Sequence, residues 1–394
     1  MATQVLTLNQ ISIKGLERLP RDCYEIASEF SHPDAILLRS HKLQADDIPE
    51  TVLAIARAGA GVNNIPVDEC TRRGIPVFNS PGANANAVKE LVATGLLLGS
   101  RGVVEGIQYV NTLAEMQDSA EMHQLLEARK KQLKGSELIG KTLGVVGLGA
   151  IGSLVAEMAL TLGMEVVGYD PALSVEAAWR LSSRVQRADT LSALFARCDY
   201  ISLHLPVLDS TRGLVNAELL NAVRPGTCLL NFARQEIVDE PALLQALESD
   251  KLRKYIADFP SPALIGRDDV ILMPHIGAST DEAEDNCAIM AADQLRDFLE
   301  NGNIRNSVNF PALQLDRVSG CRLSVTNENV PRILGGVLAI LADENINVID
   351  MLNKSRDQVA YTLIDIDTHP DDEVLGRMQA LEGVINVRLI GDCA

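Results

Sequence analysis

Between residues 142 and 170 the sequence runs through a short apolar stretch, Thr142–Val146, then Gly147-Leu148-Gly149-Ala150-Ile151-Gly152, an amphipathic segment to Leu162, and a second apolar stretch closing on Asp170. No other segment constrains the fold as strongly. A GxGxxG pattern alone is weak, because glycine-rich turns are common. A strand before it, a helix after it and an acidic residue 18 positions beyond Gly152 make it a dinucleotide-binding βαβ unit. The glycines allow a tight turn and let backbone N–H groups approach a pyrophosphate at the positive end of the helix. Asp170 is placed to accept hydrogen bonds from the adenosine ribose hydroxyls, and its charge repels a 2′-phosphate. Pro171, Ala172, Leu173 and Ser174 follow with no Arg to offset it, so the sequence predicts NAD rather than NADP.

A chain of 394 residues exceeds what one hydrophobic core usually serves, so two or three domains are expected. With 47% hydrophobic but only 4% aromatic residues, the composition suits an aliphatic α/β protein. Short apolar runs at 35–38, 51–56 and 76–78 alternate with helical stretches, the rhythm of a parallel sheet, and an amphipathic run at 85–104 leads out of this first unit. The rhythm restarts at Thr142, with further strands at 200–203 and 227–231. The run 271–274 and the long helix 281–300 have the character of the first unit and are assigned back to it. Residues 301–315, rich in Asn and containing Pro311, read as a linker, and the remainder reads β-α-β-β-α-β, the ferredoxin-like split arrangement.

The fold class is therefore α/β: two Rossmann-like or flavodoxin-like parallel-sheet domains and a C-terminal ferredoxin-like domain. The expected boundaries are 1–98 with 269–308 for substrate binding, 99–268 for NAD, 309–318 for the linker and 319–394 for the last domain.

A net charge of −18 opposes attraction to nucleic acid, so an anionic substrate must meet a local cluster of Arg and Lys. Seven cysteines, Cys23, Cys70, Cys198, Cys228, Cys287, Cys321 and Cys393, are scattered singly, which argues against a disulfide framework or a zinc site, and no metal is expected. There is no signal-peptide pattern at the N-terminus and no uncharged run of membrane-spanning length, so a cytoplasmic protein without membrane association is expected.

Two polar residues follow runs of strand character: Arg234 after 229–233, and His275 after 271–274. Functional groups of open parallel sheets gather at such carboxyl ends. Taking a hydride from a carbinol carbon requires a base for the hydroxyl proton, a task suited to the His275 imidazole. Holding a substrate carboxylate and polarising the adjacent oxygen requires a fixed cation, suited to the Arg234 guanidinium.

Six ordered motifs carry a resemblance to the D-isomer-specific 2-hydroxyacid dehydrogenases: residues 57–64 (RAGAGVNN), 79–84 (NSPGAN), 147–152, 204–206 (HLP), 231–234 with 238–240, and 274–280 (PHIGAST). The resemblance covers nearly the whole chain. It implies that His275 is the acid/base, that Arg234 holds the substrate, and that the backbone of Gly59, Ala60, Gly61 and Val62 receives the carboxylate. The same resemblance puts Arg57 and Asn84 in the substrate site, and His204, Pro206, Thr211, Phe232, Ala233, Asp258, Gly277 and Ala278 along NAD. Residues 38–42, with Arg39, Ser40 and Lys42, resemble the phosphate-reading loop of members that act on phosphorylated substrates. Residues 129–131, beginning with Arg129, resemble a basic segment that reaches across a dimer interface.

The C-terminal domain resembles an ACT module, a regulatory amino-acid-binding unit, whose effector contacts would be Asn327, Asn329 and Asn347. In this family that appendage accompanies serine biosynthesis. The implied substrate is 3-phosphoglycerate, the implied effector serine, and the implied assembly a homo-oligomer, dimer or tetramer.

The chain also departs from the family. A glutamate that usually hydrogen-bonds the catalytic His is missing from 257–262 (ADFPSP), leaving Asp258 and Glu236 as alternative stand-ins. Arg332 occupies the position after Pro331 where glycine is usual. Two other functions fit the same motifs: a dehydrogenase of hydroxypyruvate, glyoxylate or another unphosphorylated hydroxy acid, and a non-catalytic NAD sensor. Retention of both Arg234 and His275 favours the enzyme.

Overall fold

The computed structural model describes residues 2–317 and 320–391, and the chain divides into two compact units, Met1–Asn84 with Thr280–Ala394, and Ala85–Ser279. Cys393 and the junction at 318–319 lie outside the described residues.

The first unit opens with β1 (Thr3–Leu8), α1 (Ile13–Leu16), β2 (Tyr24–Ala27), β3 (Ala35–Leu38), β4 (Ala54–Arg57), α2 (Val67–Arg72) and β5 (Val77–Phe78). The five strands pair in parallel in the order β2-β1-β3-β4-β5, the flavodoxin-like doubly wound order. The central strand β3 is Ala-Ile-Leu-Leu and buried at every position, as expected of a parallel strand covered on both faces.

The second unit contains α3 (Ala85–Ser100), α4 (Val103–Asn111), α5 (Ser119–Lys130), β6 (Thr142–Val146), α6 (Ala150–Thr161), β7 (Glu165–Tyr169), α7 (Val175–Arg180), β8 (Val185–Arg187), α8 (Leu191–Phe195), β9 (Tyr200–Leu203), α9 (Ala217–Ala222), β10 (Thr227–Asn231), α10 (Glu240–Glu248), β11 (Leu252–Ala257) and β12 (Val270–Leu272). Its seven parallel strands follow the order β12-β11-β10-β9-β6-β7-β8, so the direction of winding reverses between β6 and β9. Helix α3 packs on α6 and β10, and its buried face of Val88, Val92 and Leu96 joins the core beneath β6. Both α3 and β12 were expected in the first unit. Tyr255 pairs with Val270 and Ala257 with Leu272, so β12 extends the second sheet instead.

Returning to the first unit, α11 (Asp281–Asn301) leads to β13 (Cys321–Glu328), α12 (Ile333–Asp343), β14 (Val348–Arg356), β15 (Val359–Ile366), α13 (Asp372–Gln379) and β16 (Val384–Ile390). The antiparallel order β14-β15-β13-β16 is that of a ferredoxin-like domain. This sheet packs on the end of α11 and not behind a free linker. Tyr361 donates through its hydroxyl to the Gly302 carbonyl at 2.8 Å, and the Arg388 guanidinium lies 4.6 Å from the Phe298 ring centroid.

The fully buried Arg322 spends all five donors here. It grips the Asp365 carboxylate at 2.6 and 2.8 Å and donates to the carbonyls of Asn301, Leu315 and Asp316 at 2.9–3.1 Å. The expected linker is likewise structured: Phe310 and Leu313 are buried, and Leu313 pairs with Ile304.

Candidate active site

In the second unit the carboxyl ends of six neighbouring strands carry the residues expected around the cofactor and at the reacting carbon. Gly147 to Gly152 lead from β6 into α6. Asp170 follows β7; His204 and Pro206 follow β9; Phe232, Ala233 and Arg234 follow β10; Asp258 follows β11; and His275, Gly277 and Ala278 follow β12. Thr211 closes the loop after β9, its hydroxyl donating to the Pro206 carbonyl at 2.6 Å and accepting the Leu208 N–H at 2.8 Å.

The glycine loop fits a dinucleotide. Gly147 has φ 89°, a left-handed conformation, and a Cβ there would lie 2.4 Å from the His204 carbonyl oxygen. A Cβ on Gly152 would lie 1.9 Å from the Gly147 carbonyl, whereas Gly149 faces open space on the side where a pyrophosphate would approach. Asp170 braces the same turn, accepting the Leu148 N–H at 2.8 Å and the Ala172 N–H at 2.9 Å. No basic side chain pairs with its carboxylate among the described residues.

His204 hydrogen-bonds through Nε2 to Ser202 Oγ at 2.9 Å, while its Nδ1 is buried without a partner. Burial pushes this imidazole down to about 3, so it is neutral over the physiological range and forms one wall of the switch point between β6 and β9.

Arg234 is half-buried and has φ −157°, with Nη1 donating to its neighbour's carbonyl on Ala233 at 2.6 Å. His275 is exposed and left-handed, with φ 58°. Neither expected stand-in for the missing glutamate meets its imidazole. The Asp258 carboxylate instead accepts the backbone N–H of Ile276 at 2.8 Å and of Gly277 at 2.7 Å, and Glu236 sits exposed on a 3-10 turn. The ring beside His275 is Phe259, which sequence reasoning passed over. Its one signal is its position directly after Asp258.

In the first unit, β3 and β4 are neighbours and Leu38 pairs with Arg57, which brings the loops after the two strands together. Arg57 donates from Nε to the Arg39 carbonyl at 2.8 Å and from Nη1 to the Gly61 carbonyl. It acts as a brace for both loops. Asn79 Nδ2 holds the Ala60 carbonyl at 2.6 Å, and the Ser80 N–H holds that of Gly59 at 2.9 Å. The loop carbonyls are thus turned to the protein, while the amides of Ala60, Gly61 and Val62 meet no acceptor among the described residues.

Arg39 forms an exposed ion pair with Glu284 at 2.7 Å, a partner the sequence did not announce; Ser40 and Lys42 are exposed beside it, and Asn84 ends the first segment of the unit. Arg129 belongs to the second unit, where its guanidinium lies 5.3 Å from the Tyr109 ring centroid.

The three asparagines of the ferredoxin-like domain do not converge within one chain. Asn327 lies in β13 and Asn329 just beyond it, its Nδ2 on the Asp357 carbonyl at 3.1 Å, while Asn347 donates its N–H to Asp367 at 3.1 Å. Glu328 pairs with Val359 and Cys321 with Ile366, so Asn329 and Asn347 stand at opposite ends of the sheet, roughly 25 Å apart at about 3.3 Å per residue. Arg332 has φ 82°, which accounts for the glycine usual at this place.

A reversed-winding parallel sheet with a glycine loop at its first strand, an acidic residue at its second, and an arginine and a histidine farther along the same edge defines a nicotinamide-nucleotide dehydrogenase. Residues 106–277 match the family description "D-isomer specific 2-hydroxyacid dehydrogenase, NAD binding domain". The chain is 34% identical to the D-3-phosphoglycerate dehydrogenase of Escherichia coli strain K12 over 371 residues, covering 90% of this chain and 86% of that protein. Among solved structures it resembles NAD+-bound 3-phosphoglycerate dehydrogenase of Entamoeba histolytica, with TM-score 0.62 and 28% identity over 79% of this chain and all of that one. It shares its fold with Rhodotorula graminis D-mandelate dehydrogenase, with TM-score 0.68 and 24% identity over 79% of this chain and 99% of that one. The chain belongs to the D-isomer-specific 2-hydroxyacid dehydrogenase family and is an NAD-dependent oxidoreductase.

Proposed function

We propose that the chain oxidises D-3-phosphoglycerate to 3-phosphohydroxypyruvate, the first step of serine biosynthesis. The observation that carries this reading is the cationic loop of Arg39 and Lys42 in the first unit, in a chain whose second unit carries the NAD edge. His275 takes the hydroxyl proton of the substrate on its imidazole, and Arg234 holds the substrate oxygens beside the carbon that loses the hydride. NAD bound along the glycine loop supplies the hydride acceptor. The free amides of Ala60, Gly61 and Val62 receive the carboxylate, with Arg57 keeping their loop in shape. Arg39 and Lys42 read the phosphate, and Arg39 exchanges Glu284 for it.

That exchange costs little, since an exposed ion pair is worth about 0–1 kcal/mol. Replacing Arg39 by Ala is expected to raise KM for 3-phosphoglycerate about tenfold or more, while KM for an unphosphorylated 2-hydroxy acid stays within about twofold. Equal effects on both substrates would remove Arg39 from the phosphate site.

The assembly is a homo-oligomer, dimer or tetramer, in which Arg129 and the lysines after it reach a partner copy. Helix α4 supports this: Val103, Ile107 and Val110 lie on one helical face and are 41–58% exposed. Serine is the effector of the ACT-like domain. Because Asn329 and Asn347 stand at opposite ends of the sheet, one serine meets both only where two copies abut. Calorimetry on the full chain should show serine binding that Asn347→Ala abolishes; undisturbed binding would refute this placement. The six described cysteines are free thiols, which supports a cytoplasmic setting.

A further inference from the structure

We infer that Asp258 and Phe259 together position the His275 imidazole, one through the backbone and the other through its ring, so that orientation here comes from packing and not from a carboxylate on the imidazole. The inference rests on the reading of His275 as the acid/base. Strands β11 and β12 are neighbours, and the Met273 N–H continues their ladder onto the Ala257 carbonyl at 2.9 Å, so the two segments leave the sheet side by side. The first carries Asp258 and Phe259, the second His275.

Asp258 is 2% exposed, and its two carboxylate oxygens each take one amide of the opposing segment, Ile276 at 2.8 Å and Gly277 at 2.7 Å. These are the two peptides that follow His275. Fixing both defines the path on which His275 adopts φ 58°, a left-handed conformation uncommon for a residue with a side chain. Gly277 keeps this approach open, since a Cβ there would lie 3.1 Å from Asp258 Oδ2 and the carboxylate would have to give way by a few tenths of an ångström.

With its backbone held, the imidazole still has freedom about its own torsions, and here Phe259 acts. The two ring centroids are 4.9 Å apart at an interplanar angle of 63°, an edge-to-face contact. Among the described residues no side chain hydrogen-bonds the imidazole, so its swing is limited by packing, to which the Phe259 ring contributes this contact. Both ring nitrogens are left free to exchange a proton with a substrate. Phe259 touches neither substrate nor cofactor in this reading and is a positioning residue.

The test compares Phe259→Leu and Phe259→Tyr in the full chain. Phe259 is only half-buried, so both variants should fold. Phe259→Leu should lower kcat about tenfold with KM for NAD and substrate within about twofold, and Phe259→Tyr should recover most of kcat.

A second readout does not depend on catalysis. The imidazole carbon-bound proton resonances of His275, assigned by their loss in His275→Gln, should move in Phe259→Leu and return in Phe259→Tyr. Hydrogen exchange at Ile276 and Gly277 should quicken in Asp258→Asn. Unchanged His275 resonances, or an unchanged kcat, in Phe259→Leu would overturn the inference. Moved resonances in a chain whose native form oxidises no 2-hydroxy acid would instead overturn the catalytic role on which it rests.

Discussion

Single side chains in this protein make contacts that a sequence motif does not name. Asp170 stands where a ribose-binding acid is expected, and its carboxylate also holds the Leu148 and Ala172 amides of the turn it faces. Its replacement should therefore do two things. Asp170→Ala should raise the ratio of kcat/KM for NADP to that for NAD about tenfold, the effect of some 1.4 kcal/mol, by removing the repulsion of a 2′-phosphate. It should also weaken NAD itself, because the glycine loop loses a brace. Steady-state kinetics with both cofactors checks this, and an unchanged ratio would contradict the assignment of Asp170. Asp258 shows the same economy: the sequence left it and Glu236 as possible partners of the His275 imidazole, whereas its carboxylate is taken up by two backbone amides. No pattern of residue types distinguishes those two uses.

At the level of elements, what the sequence revealed follows from how local the determinants are. The unit β6-α6-β7 was legible because strand, glycine turn, helix and acid are contiguous. The whole β-α-β-β-α-β of the last domain was legible because its apolar periods change cleanly. β12 was misplaced because a three-residue apolar run carries no information about its neighbour; its pairing with β11 does. The segment around 309 looked like a linker because Asn usually marks turns. Asn309 instead uses its amide like a backbone group, accepting the Val77 N–H at 2.8 Å and donating to the Ile75 carbonyl at 3.0 Å, and so stitches the segment to β5. The candidate site residues at strand ends are legible by position, whereas the contacts of Phe259 with His275 and of Glu284 with Arg39 exist only in three dimensions.

Helix α4 belongs to the same scale. It buries none of its residues within the described chain and presents Val103, Ile107 and Val110 on one side. If that stripe is the contact between copies, Ile107→Glu should reduce the mass measured by light scattering to that of one chain, with the fold retained by circular dichroism. An oligomer unaffected by this charge would place the interface elsewhere.

For the molecule as a whole, a net charge of −18 means that no long-range field draws in a trianionic substrate, so affinity has to come from short-range cations and oriented amides. Under the proposed function Arg39, Lys42 and the amides of residues 60–62 would supply these in the first unit, and Arg234 a further one in the second. Among the described residues no helix is long and apolar enough to cross a membrane. If Arg39 and Lys42 read a phosphate, the chain selects a phosphorylated 2-hydroxy acid. The direct measurement is NAD reduction by the purified chain with 3-phosphoglycerate, glycerate and lactate at equal concentrations. The expected kcat/KM for 3-phosphoglycerate exceeds the other two by roughly one to two orders of magnitude, the value of a charge-assisted hydrogen bond of about 1.5–3 kcal/mol. Equal or higher kcat/KM with glycerate or lactate, or no NAD reduction with any of the three, would contradict it.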